Sequence, residues 1–175
     1  MSEDGRLTGP GTLEFRRSFA ADIDTVWQFL TDPEKRKTWF CGGETGTARG
    51  EEIVFDFDHR RLSNSPAPEK YRDQETARFT GEILEYDPPH RLSFTWPDAN
   101  GEGSKVEIVL SEAAGGGTDL HLVHSQLGTA EYRIGALAGW HAHFDLLEDI
   151  VAGREVRDFW TAHTALEDRY REIAC

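Results

Sequence analysis

The chain has 175 residues, with 19 Lys and Arg against 32 Asp and Glu, giving a formal net charge of -13. That length suits one domain able to bury a sizeable core without disulfide or metal staples. The acidic balance argues against nucleic acid and anionic membrane surfaces as partners, and no apolar run approaches the ~18 residues of a membrane span.

Met1 to Gly11 is polar and Gly-rich and lacks the apolar centre of a signal peptide. Leu13, Phe15 and Phe19 alternate with polar neighbours, which predicts a half-buried first strand that Arg17 interrupts. Asp22 is placed to cap a short helix carrying Ile23, Val26, Trp27 and Leu30 on one face. Asp32-Pro33 breaks it and permits a second short helix that ends at Trp39-Phe40. Gly42, Gly43 and Gly46 mark turns, and they fit no phosphate-loop fingerprint.

Ile53, Phe55 and Phe57 predict the next strand. From His59 to Glu75 the chain is polar and reads as a long mobile loop, with one helical turn near Glu69 to Asp73. Four further strands follow, over Thr76 to Tyr86, around Leu92 to Trp96, Val106 to Leu110 and Leu120 to His124. Turns at Asp87-Pro88-Pro89-His90, Pro97 to Gly101 and Gly115 to Gly117 separate them. The period then becomes helical, with Leu137, Trp140, Phe144, Leu147 and Val151 on one stripe and Glu148 and Asp149 assigned to water. Gly153 ends this helix. A second amphipathic segment runs from Val156 through Phe159, Trp160, His163, Leu166 and Tyr170 to Ile173.

The predicted fold is α+β: a curved antiparallel sheet wrapped around a long C-terminal helix, with two short helices after the first strand. Residues 12–153 form the expected domain, and residues 154–175 a helical extension packed on it. A sheet curled around a helix leaves a space between the two layers.

The residues resemble bacterial proteins similar to the C-terminal domain of the activator of the Hsp90 ATPase, within the START/Bet v 1-like helix-grip superfamily. The resemblance is carried by Val26-Trp27-Gln28-Phe29-Leu30-Thr31-Asp32-Pro33, Gly81-Glu82-Ile83-Leu84-Glu85, Asp87-Pro88-Pro89, Arg91-Leu92-Ser93-Phe94-Thr95-Trp96 and Gly139-Trp140. It implies a ligand pocket and no single activity.

Strand parity and helix face nominate Trp27, Trp39, Phe55, Phe57, Phe79, Phe94, Trp96, Leu122, His124, Trp140, His143, Phe144 and Leu147 as pocket residues. The same residues also read as plain core. His124 is the sharpest candidate, either as a ligand-facing or acid–base group or as a hydrogen-bonded core histidine. His143 is expected to meet it across the cavity.

The leading expectation is a binding module for a small hydrophobic or amphipathic molecule, gated by the 59–75 loop and the Trp39 region. A cyclase, dehydratase or hydrolase using His124 with His143 or Asp145 is the alternative, although no nucleophile–base–orienter set can be named. Regulation of an Hsp90-type ATPase is a third, implied by the resemblance alone.

No metal site is expected, because His141 and His143 are two apart on a helix. No cofactor is expected. Cys41 and Cys175 have neither redox nor zinc spacing, and Cys41 reads as an inert thiol, consistent with a reducing, cytoplasmic setting. The chain is expected to be a monomer or a homodimer.

Overall fold

The computed structural model describes residues 3–97 and 103–173. Apart from Pro97, the expected turn at Pro97 to Gly101 lies outside the described residues, as does Cys175.

Strict alternation builds the sheet. β1 (Arg6–Gly9), β2 (Thr12–Phe19), β3 (Glu52–Asp58), β4 (Thr76–Asp87), β5 (Arg91–Trp96), β6 (Ser104–Glu112) and β7 (Thr118–Ser125) pair antiparallel in the order β1-β2-β7-β6-β5-β4-β3. β1 lies in the polar, Gly-rich N-terminus that gave no strand signal; it hairpins onto β2, pairing Leu7 with Leu13. A bulge between Ile83 and Glu85 shifts the parity of β4, so that Ile83 is buried opposite Phe94 and Tyr86 stands opposite Leu92.

Arg17 does not interrupt β2. It keeps the inward parity of Leu13, Phe15 and Phe19 and is itself buried.

The two short helices are α1 (Ile23–Thr31) and α2 (Pro33–Arg36). Asp22 caps α1 by accepting from Thr25 N at 2.8 Å, and Asp32 caps α2 by accepting from Glu34 N and Lys35 N. The 59–75 segment is more ordered than its composition suggests. It holds two short 3-10 helices, His59–Arg61 and Glu69–Gln74, and buries Leu62 and Ala67.

α3 (Ala130–Val151) crosses the inner face of the sheet, and α4 (Phe159–Ile173) packs along α3. Because α4 covers a flank that the sheet leaves open, α3 is buried well beyond its apolar stripe. His141, Asp145 and Asp149 are therefore buried as well. This overturns the assignment of Asp149 to water. The return of the chain after Gly153 brings Arg154 and Arg157 onto its carboxylate, with Arg157 Nε at 2.7 Å. Hydrogen bonds led by Arg157 hold the Asp149 carboxyl down at about 2.

Candidate functional site

The inward face of β3–β7 meets α3 in a continuous aromatic layer. Trp39, Phe40, Trp140 and Phe144 form a ring of near-parallel stacks, with centroids 5.1–6.0 Å apart and planes within 16–25°. Phe55 packs against Phe79, Phe94 and Trp96 on the strand side. Of the residues nominated from the sequence, Phe79 and Trp96 are half-buried and the rest are buried, Phe55, Leu122, Phe144 and Leu147 completely. Trp27 stands apart, its ring against Tyr86 at the seam of α1 and β4. Phe40 was not nominated, although it joins more rings of this layer than its neighbour Trp39.

The space expected between sheet and helix is filled by these side chains. A void of about 10 Å³ remains beside Trp39, Phe55, Phe94 and Trp140, about the room needed by one water.

His124 sits inside this layer with both ring nitrogens engaged. Trp140 Nε1 donates to Nδ1 at 3.1 Å, so Nδ1 is the acceptor and Nε2 carries the proton. Nε2 donates to Ser104 Oγ at 2.7 Å, and the Ser104 hydroxyl donates to the Trp96 carbonyl at 3.1 Å. Burial pushes the His124 ring down to about 3. The chain of bonds holds the imidazole neutral, with neither nitrogen open to a substrate.

His143 does not meet His124. Its Nδ1 donates to the Trp39 carbonyl at 2.7 Å, and its ring faces Phe40, Phe57, His59 and Phe159. Burial, then the neighbouring His59, lowers its affinity for a proton.

Asp145, the other partner considered for His124, is committed elsewhere. It accepts from Arg17 Nη1 at 3.0 Å and lies 3.0 Å from Arg157 Nη1 and 3.6 Å from His141 Nε2. His141 Nδ1 in turn bonds the Tyr170 hydroxyl at 2.7 Å, which also accepts from Gly5 N. Nε2 of His141 lies 3.6 Å from Asp145 Oδ1, while Nδ1, 3.9 Å from Asp4 Oδ1, accepts a hydrogen bond from the Tyr170 hydroxyl.

The mouth near Trp39 is fixed by Arg36, which no sequence signal singled out. Its buried guanidinium donates to the carbonyls of Cys41, Gly42, Gly43 and Val54 and to Thr45 Oγ1, at 2.7–3.1 Å. Its face lies over Phe55. Gly43 adopts φ +103, where a Cβ would fall 2.4 Å from the Val54 carbonyl oxygen, so this turn needs glycine. Burial raises the Cys41 thiol to about 12, as expected of an inert cysteine.

The opposite mouth is plugged by α4. Phe159 and Trp160 pack on His59 at 4.8 and 5.1 Å, and Phe159 packs on His143 at 4.4 Å. Asp158 fastens the plug. Its Oδ1 accepts from Ser63 Oγ, Asn64 N and Ser65 N, and its Oδ2 from Thr161 N and Oγ1. Burial alone would raise this carboxyl; the five donors outweigh it and hold it below the usual range. Tyr71 donates to Glu167 Oε1 at 2.6 Å, and Lys70 donates to Glu131 and Glu167. Inside the plug, Trp160 Nε1 and His163 Nδ1 are buried without a hydrogen-bond partner among the described residues.

This architecture has known counterparts. The family described as activator of Hsp90 ATPase homolog 1-like protein matches residues 20–152. The chain belongs to that family. A Bordetella parapertussis protein whose structure was solved in solution is 32% identical over 98% of this chain and 90% of its own, with a TM-score of 0.82. CalU16 from Micromonospora echinospora is 24% identical, covering 97% and 94% of the two chains at a TM-score of 0.66. A conserved Enterococcus faecalis protein of unknown function is 21% identical, covering 97% and 88% at 0.68. No curated protein matches the chain.

The helix-grip, START/Bet v 1-like architecture read from the sequence is therefore the fold of this member of the activator of Hsp90 ATPase homolog 1-like family. The matched span ends at residue 152, one residue before the Gly153 turn that leads to α4. α4, which carries Phe159 and Trp160, thus lies outside the matched residues. Among the described residues, no helix is long and apolar enough to cross a membrane.

Proposed function

We propose that this chain binds one small apolar or amphipathic molecule between the sheet and α3, admitted when α4 withdraws Phe159 and Trp160. The observation that carries this reading is the composition of the plug seam. Two aromatic side chains from outside the matched span are inserted against the rings of His59 and His143, and His59 in turn stacks on Phe57. Their removal would open an apolar recess walled by rings, with His59 and His143 as its polar edge, the pattern of a small-molecule site. The plug is also less well satisfied than the His124 network, since Trp160 Nε1 and His163 Nδ1 lack partners among the described residues while His124, Ser104 and Trp140 are paired.

The test is native mass spectrometry and thermal shift against a panel of apolar and aromatic probes, using the full chain and Phe159→Ala. One-to-one binding is expected, tighter in the variant because the side chain no longer competes. Absence of any bound probe in both proteins would overturn the reading.

A further inference from the structure

Three histidines surround one phenylalanine in the plug. The ring of Phe159 lies 4.4 Å from His143 on α3, 4.8 Å from His59 in the 59–75 segment and 5.6 Å from His163 on α4. His59 and His143 are themselves 5.5 Å apart. Three ionisable rings from three separate elements thus share one apolar pocket, and closure requires all of them to be neutral.

We infer that α4 and the 59–75 segment form a proton-operated lid, in which proton uptake by His59, His143 and His163 drives Phe159 and Trp160 out of the core. The consequence for ligand access rests on the binding function proposed above; the opening itself does not.

The groups facing each ring support this direction. His163 meets Phe159, Trp160 and Tyr71, and its Nδ1 has no hydrogen-bond partner among the described residues. Glu167, on the same helix, would favour a charge there, while Lys70 and His59 oppose it. Glu167 already accepts from Lys70 and Tyr71. Burial prevails, and His163 is pushed down to about 4.

His59 donates from Nδ1 to the Glu75 carbonyl at 3.3 Å, with Asp58 and Glu75 as its nearest carboxylates. Asp58 is taken by Arg60. Burial again outweighs these attractions and lowers the ring. His143 has the Trp39 carbonyl and apolar rings around it, with His59 and His163 as its charge-bearing neighbours.

The fasteners titrate elsewhere. Asp158 and Glu167 are both held below their ordinary range, so they stay ionised while the histidines fill. The sign follows. A histidine whose folded-state affinity is depressed contributes closure in full above its open-state value near 6.5, and that contribution is lost as pH falls toward its folded value. Over that window the closed-to-open ratio falls by up to about tenfold per pH unit for each histidine involved.

Amide hydrogen exchange of the ligand-free full chain, corrected for the intrinsic pH dependence of exchange, tests this between pH 7.5 and 4. The 59–75 segment and α4 should lose protection at a higher pH than β5, β6 and β7. His59→Phe with His163→Phe should move that transition down by at least one pH unit, whereas His124→Gln should leave it in place. Simultaneous loss across sheet and lid, or a transition unmoved in the double variant, would overturn the inference. Should the double variant fail to fold, NMR of the histidine rings in the unaltered chain decides. Titration of His59, His143 and His163 coincident with lid exchange supports the lid, and titration with α4 still protected overturns it. A lid that opens at low pH yet admits no apolar probe would remove the binding function and leave the lid standing.

Discussion

The indole N–H of Trp140 donates to Nδ1 of His124 across 3.1 Å. That one bond fixes the tautomer, directs the Nε2 proton to Ser104 and makes protonation of Nδ1 a clash of two donors.

His124→Phe should therefore act as a loss of structure. It leaves the Trp140 N–H without its acceptor and removes the donor to Ser104, at a cost of about 1–3 kcal/mol. Denaturant unfolding at pH 7.5 measures it; a neutral result would show the network to be dispensable. The ring also contributes to acid sensitivity. With a folded value near 3 against about 6.5 unfolded, its contribution is complete above 6.5 and is lost as pH falls from there toward 3. His124→Gln should make the fall in stability between pH 6 and 4 shallower by about one proton.

Arg17 and Asp145 should respond unequally to truncation. Removing Arg17 leaves Asp145 its contacts with Arg157 and His141, and it also removes two buried donors, Nε and Nη2, that have no hydrogen-bond partner among the described residues. Arg17→Met is expected to cost about 1–2 kcal/mol. Asp145→Leu leaves a buried guanidinium with, among the described residues, only the Glu148 carboxylate, at 3.6 Å, and should cost about 3–5 kcal/mol. Equilibrium unfolding of both variants gives the order, and a reversed order would refute this account.

Arg36→Lys keeps the charge and loses the fork. A single ammonium cannot reach four carbonyls and a hydroxyl spread over Cys41 to Val54. A loss of about 2–3 kcal/mol is expected, with amide exchange of residues 41–46 rising before that of β3. An unchanged exchange pattern would separate the loop from Arg36.

Asp158→Ala should loosen the plug without unfolding the sheet. The variant loses the helix cap on α4 and three bonds to the 63–65 turn, at a cost of about 1–2 kcal/mol. Increased exchange confined to residues 62–66 and the first turn of α4 is the expected signature. Uniform loss of protection would show that the plug is continuous with the global core.

Much of the fold is legible in the order of periods. Ile53-Phe55-Phe57, Leu92-Phe94-Trp96 and Leu120-Leu122-His124 alternate because one face of each strand is buried. Asp22 and Asp32 announce helix starts through local chemistry. Such signals are carried within a few residues, so the sequence exposes them. Arg17 and Asp149 were misread for the complementary reason. A buried charge can be recognised only once its surroundings are in place: Asp145 is 128 positions from Arg17, and Asp149, although its partners Arg154 and Arg157 are near in sequence, is buried only by the return of the chain after Gly153.

By itself the sequence determined the α+β architecture, most of the inward aromatic set and the place of His124 within it, since periodicity marks the buried face of a regular strand or helix; it does not reveal the bulge of β4 or the place of Phe40. The tertiary structure decided what those side chains do there. It filled the expected space, turned His124 to Trp140 and His143 to Trp39, and brought α4 onto the 59–75 segment. Each of those outcomes depends on contacts between residues distant along the chain, whose energies no local pattern records.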